Sequence, residues 1–190
     1  MRERCCFNIR LVVSLVLVGT CLIVRPVQAR YSGGTGEPND PYRIGTAEDL
    51  NDIGNYVEDY NKCFVMTADI NLADYTGDSF NIIGTSSNHF AGVFDGNGHS
   101  ISNFCGTEGL FERIDEHGVV RNTSLIDVNM TGDQPGGMVG ANNGVISNCS
   151  VTGKVTGIYC VGGLVGWSIG VVEDSSTDCI VNGDDAVGGH

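Results

Sequence analysis

The chain repeats one phrase. Residues 136 to 150 read GGMVGANNGVISNCS, and residues 162 to 176 read GGLVGWSIGVVEDSS, 26 positions further on. The offset sets Gly136 on Gly162, Gly137 on Gly163, Val139 on Val165, Gly140 on Gly166 and Gly144 on Gly170. It also pairs Asn148 with Asp174 and Ser150 with Ser176. Carried forward, it places Gly188 and Gly189 on the same glycine pair. Carried backward, it places Gly118, Val120, Asn122 and Ser124 on Gly144, Ile146, Asn148 and Ser150, while EGLF at 108 to 111 runs two residues out of step with GGMV. A fixed period of this size is the mark of a stacked repeat, so it constrains the fold before any local propensity does.

Within each copy, short runs rich in Val and Ile alternate with Gly, Asn and Ser, and none is long enough for a helix. Short strands joined by tight turns are the reading. One 26-residue unit cannot bury its own apolar face, but stacked units can. The expected fold is all-β: a right-handed parallel β-helix whose coils lie about 4.8 Å apart. Repeat-equivalent glycines then mark corners, either because φ is positive there or because two backbones approach closely. Propeller blades run nearer about 40 residues, and sandwich strands do not recur in sequence.

Three segments follow. Residues 1–29 carry Arg2, Arg4 and Arg10, a 14-residue apolar run from Leu11 to Val24, and a small-residue exit at Ala29. This pattern reads as a signal peptide, too short for the roughly 20 apolar residues of a membrane span. Val18-Gly19-Thr20-Cys21 is a loose lipidation alternative. Residues 30–107 form a cap and irregular first coils. There Thr46-Ala47-Glu48-Asp49, followed by Leu50, Ile53 and Val57, predicts a short amphipathic helix covering the open end. Strand-like runs follow at 63–72, 80–84 and 90–104. Residues 108–190 are the regular coils, and because the last repeat is partial the chain is expected to continue into further coils.

Beyond residue 29 there are 22 acidic residues, the 23 of the whole chain less Glu3, against six basic ones, a net charge of −16. Nucleic acid and anionic membrane surfaces are poor partners for such a chain, whereas carbohydrate or another surface protein suits it. Five cysteines remain there: Cys63, Cys105, Cys149, Cys160 and Cys179. Without CxxC spacing or adjacent His they read as buried small hydrophobes, with one or two disulfides of undetermined pairing.

The ordered set YSGGTGEPNDPYRIGTAEDL, DYNKCFVMTADINL, FAGVFDGNGHSISNF, GLF, GGMVG and GGLVG resembles the GLUG-motif family of bacterial secreted proteins. The resemblance implies a pectin-lyase-like β-helix of the kind found in adhesin-like and planctomycete surface proteins and beside the catalytic domain of IgA-specific metalloendopeptidases. It implies no catalytic residues in the repeats.

The chemistry in the residues is sparse. His89, His99, His117 and His190 form no HExxH, so the zinc-peptidase pattern is missing. Asp184-Asp185 with Gly188-Gly189-His190 is similar to the paired elements of polygalacturonases, where carboxylates protonate a glycosidic oxygen and activate water. Here the elements stand too close together, and Gly188-Gly189 already belongs to the repeat. Glu173, Asp174 and Asp178, or Asp184 and Asp185, offer oxygen ligands for calcium or simply solvated turns. Trp167, with Tyr159, is the candidate aromatic platform for a sugar ring. Asn122 and Asn148 sit in sequons, but their shared repeat position, with Asp174 after them, is equally explained by a polar turn ladder. The expected role is adhesion, surface display or glycan contact without catalysis. The alternatives are the scaffold of a carbohydrate-active enzyme or a spacer for a downstream peptidase domain.

Overall fold

A computed structural model describes residues 30–76 and 79–188. The signal-peptide reading and the Gly189-His190 end of the polygalacturonase-like pattern lie outside those residues. Every pairing between the described strands is parallel, and the strands stack into a β-solenoid.

The first sheet has six strands, one from each coil: Tyr42–Ile44, Cys63–Met66, Val93–Asp95, Val119–Arg121, Val145–Ser147 and Val171–Glu173. Val93, Val119, Val145 and Val171 stand in register, each 26 residues after the last. Before them the steps are irregular, 22 from Tyr42 to Phe64 and 30 from Cys63 to Val93. The second sheet holds Phe111–Ile114, Val139–Asn142 and Val165–Ser168, and the 80–84 run reaches it through an Ile83 to Phe111 bridge. The third holds Ile70–Asn71, Ser100–Ser102, Ser124–Thr131, Ser150–Thr156 and Ser176–Asn182, with Cys105–Gly106 paired alongside.

The two-residue slip in the sequence has a local cause. Phe111 pairs with Val139, 28 residues on, while Val119 pairs with Val145, 26 on. The surplus is therefore spent between those points, in the Asp115-Glu116-His117-Gly118 turn, which Asn143-Gly144 replaces one coil later. Asp115 accepts from the His117 backbone N–H at 3.2 Å and closes the longer turn.

Alternation turns one row of each strand inward. Phe64, Phe94, Val120 and Ile146 form such a ladder on the first sheet, and Ile70, Ile101, Leu125 and Val151 on the third, all buried. Phe90 joins them with its ring centroid 5.2 Å from that of Phe111, which lies 5.5 Å from that of Phe94. Each such side chain contributes on the order of 1.5–3 kcal/mol by leaving water. The core is aromatic in the early coils and aliphatic in the later ones. In the last described coil Val172, on the same ladder as Ile146, is 43% exposed.

The helix spans Ala47–Asn55 with the expected capping box: Thr46 Oγ1 accepts from the Asp49 N–H, and the Asp49 carboxylate accepts from the Thr46 N–H. Leu50 and Ile53 are fully buried beside the edge strand Tyr42–Ile44. Val57 departs from the predicted apolar stripe. The helix ends at Asn55, and Val57 lies exposed in a 3-10 turn, Val57–Asp59.

The disulfide expectation is corrected, because all five described cysteines are free. They are spread over the coils: Cys63 on the outer side of the first sheet, Cys105 beside the third, Cys149 buried at a corner, Cys160 in a turn and Cys179 on the third sheet.

Candidate functional site

The corners decide which outer face is built for contact. At Asn122, Asn148 and Asp174 the backbone is left-handed, with φ of 55°, 51° and 48°. Asn148 Nδ2 donates to Asn122 Oδ1 at 2.9 Å, and Asn122 Nδ2 to Asp95 Oδ1 at 2.9 Å. This is the polar ladder between the first and third sheets, and it places Asn122, Asn148 and Asp174 in a structural corner. The repeat glycines work differently. A Cβ at Gly136 or Gly162 would collide with the carbonyl oxygen of Val139 or Val165, and one at Gly144 with that of Gly118. Close approach, not positive φ, requires glycine there.

The second sheet carries the distinctive surface. Arg113, Ala141 and Trp167 stand in register along its outer side, spanning two coil steps or about 10 Å. Trp167 is 45% exposed. Beside that row runs Glu112, Gly140 and Gly166, so two glycines leave a low floor. Two adjoining recesses follow it. One, of about 260 Å³, is lined by Glu108, Glu112, Arg113, Asp133, Gln134 and the Gly140-Ala141 backbone. The other, of about 340 Å³, is lined by Arg113, Gln134, Ala141, Cys160 and Trp167. Because Arg113, Gln134 and Ala141 belong to both, they form one shallow groove with an indole at one end and carboxylates at the other.

Its electrostatics follow from crowding. Burial pushes the Glu108 carboxyl above the usual carboxylate range, the charges of Glu112 and Asp133 push it further, and Arg113 opposes them in part. Arg113 Nε lies 3.9 Å from Glu112 Oε1, a loose pairing that leaves donor capacity free. The backbone carbonyls of Glu108, Gln134 and Cys160 recur at 26-residue steps, and no donor among the described residues reaches them. The Glu108 oxygen lies 2.8 Å from where a Cβ on Gly140 would stand, and those of Cys160 and Gln134 lie 2.8 and 2.9 Å from where one on Gly166 would. The groove therefore offers an aromatic platform, one guanidinium and many acceptors.

Of the residues expected from sequence, Trp167 lies in this groove. Tyr159 is exposed on the turn that carries Cys160, its N–H donating to the Asp133 carbonyl at 2.8 Å. Glu173 ends the last strand of the first sheet, and Asp178 lies exposed on the third. Asp184 and Asp185 occupy an exposed turn, where the Asp185 N–H donates to Ile158 O at 2.9 Å. The structure thus spreads the acidic residues over separate sheets and turns. Among the described residues, the group whose ligand atoms converge within 4.8 Å is Asp115, Glu116 and His117 on the exposed insertion turn, and it includes none of them. Gly188 pairs with Gly162 as a repeat position. Glu108, Glu112, Asp133 and Gln134 were not apparent from sequence. The spacing of 108, 134 and 160 carries their signal, but three unlike side chains conceal it.

Comparison with known proteins agrees with the repeat. Residues 131–156 match the model of the GLUG motif. The chain is 35% identical over 140 residues to halomucin of Haloquadratum walsbyi, covering 65% of this chain and 2% of halomucin. It is 38% identical over 135 residues to a Gly-rich membrane protein of Evansella cellulosilytica, covering 64% of this chain and 15% of that protein. The chain thus spans a small part of the length of these relatives. Its fold is similar to the crystal structure of a candidate immunoglobulin A1 protease from Bacteroides ovatus, with a TM-score of 0.71 and 21% identity over 79% of this chain and 50% of that one. The chain therefore carries a GLUG motif within a β-solenoid.

Proposed function

We propose that this chain is a cell-surface β-solenoid module that acts by contact, and that it touches glycans through the outer face of its second sheet. The observation that carries the reading is Trp167: a large aromatic, 45% exposed, set in register with Ala141 beside a groove. An exposed indole flanked by polar groups is suited to stacking on the apolar face of a sugar ring while hydroxyls find the groove's acceptors. Surface placement is supported by the names of the halomucin and membrane-protein relatives and by the strongly acidic exterior. Among the described residues no helix is long and apolar enough to cross a membrane.

Trp167 is the sole tryptophan, so its emission reports on this face alone. Titration with a panel of neutral and charged oligosaccharides is expected to shift that emission for at least one of them, and Trp167→Ala is expected to abolish the corresponding binding heat. A panel that leaves both signals unchanged overturns the glycan reading.

A further inference from the structure

Resting on that reading, we infer that the groove selects oligosaccharides bearing protonated amino groups over neutral or uronic-acid chains. The lining of the groove sets the sign. Glu108, Glu112 and Asp133 meet one guanidinium, that of Arg113, and the lining continues through Gln134 to Cys160, whose backbone carbonyls, like that of Glu108, accept from no described donor. Such a surface accepts hydrogen bonds far more readily than it donates them, so it rewards a ligand rich in hydroxyl and ammonium donors. A uronic-acid chain would bring further negative charge against Glu112 and Asp133 with only Arg113 to answer it, and like charges brought together across an interface are costly.

Crowding supports the same choice. The Glu108 carboxyl is held up by burial and by its acidic neighbours, and an ammonium placed among the three carboxyls relieves that repulsion. Position supports it as well. Trp167 stands two coils from Arg113, so a chain stacked on the indole and running along the solenoid axis brings its next units over the floor at Gly140 and onto the carboxylates. The aromatic platform gives affinity that is indifferent to charge, and the acidic end gives discrimination.

The test is calorimetric titration of the whole chain with glucosamine, N-acetylglucosamine and galacturonic acid oligomers of equal length. Glucosamine oligomers are expected to bind most tightly and to move Trp167 emission. Glu112→Gln and Asp133→Asn are each expected to weaken them about tenfold and to weaken N-acetylglucosamine oligomers several-fold less, since an amide still accepts from a hydroxyl but no longer answers an ammonium. Circular dichroism and the melting midpoint show that the variants fold. Since the whole chain is acidic, the paired change Glu48→Gln with Asp74→Asn, two exposed carboxylates at the helix-capped end, serves as a remote-charge control and is expected to leave binding unchanged. Equal binding of the amino and N-acetyl oligomers, or equal weakening by the remote pair, overturns the inference and leaves the glycan-contact reading standing. If no oligomer binds and the emission does not move, the underlying reading fails with it.

Discussion

Asn148 shows how one side chain holds two coils. Its φ of 51° is a conformation that costs most L-residues about 1–2 kcal/mol, and Asn tolerates it better than nearly all others. Its amide also donates to Asn122 Oδ1 one coil away. Asn148→Ala removes both advantages and is expected to destabilise by about 2 kcal/mol in urea denaturation, whereas Asn148→Gly keeps the backbone freedom and loses about half as much. Equal losses would mean that the hydrogen bond, not the backbone, carries the effect. Cys149 beside it is buried and accordingly pushed up to about 11, so it stays a thiol at neutral pH. Alkylation at pH 8 under native conditions is expected to label Cys149 last of the five, as mass spectrometry of digested fragments would show. Both positions were partly legible in the sequence. The recurrence of Asn122, Asn148 and Asp174 announced a corner ladder, but the division of labour at the corners was not readable. The recurring glycines answer close backbone approach, while the left-handed corners between the first and third sheets went to Asn and Asp, and no local pattern separates those two demands.

Strands gain their fixed register from contacts between coils. On the first sheet Asp95 accepts from Arg121 Nε at 2.9 Å and from Asn122 Nδ2 at 2.9 Å, both supplied by the next coil. Partial burial raises the Asp95 carboxyl, but the hydrogen bonds from Asn122, the Asn97 N–H and Arg121 outweigh it and hold the group below its ordinary range. A carboxyl lowered in the folded state contributes stability that is present above the unfolded value of about 3.9 and is lost as pH falls through the lower folded value. Stability is therefore expected to drop on acidification through that window, and Asp95→Asn should flatten the drop, measured as the urea midpoint against pH. An unchanged pH slope would show that other carboxylates dominate. At this scale the sequence is a good guide wherever the period is strict: the pairs Val120 to Ile146 and Ser124 to Ser150 stand as the alignment places them. It falters where length is absorbed in a turn. The surplus before Val119 lies in Asp115-Glu116-His117-Gly118, and Val57 continues a helical period on paper although the chain has already left the helix. The groove was less legible still, because its walls come from three coils whose side chains differ at equivalent places.

Across the whole molecule the core changes character from one end to the other, and a stacked fold turns that change into a stability gradient. In a solenoid each coil is held by its own interior and by its two neighbours, so stability is close to a sum of local and interface contributions. The early and middle coils have Phe64, Phe90, Phe94 and Phe111 in contact and fully buried, and the helix adds Leu50 and Ile53 at that end. The coil at 139–156 is filled instead by Val139, Ile146, Val151 and Val155, equally buried but smaller. Amide exchange is therefore expected to be slower across 90–114 than across 139–156, with no single opening event spanning both. Phe94→Leu is expected to speed exchange across 90–114 and to leave 139–156 little changed. If exchange quickened equally in all coils, the solenoid would be one cooperative unit and the nearest-neighbour account of its stability would fail.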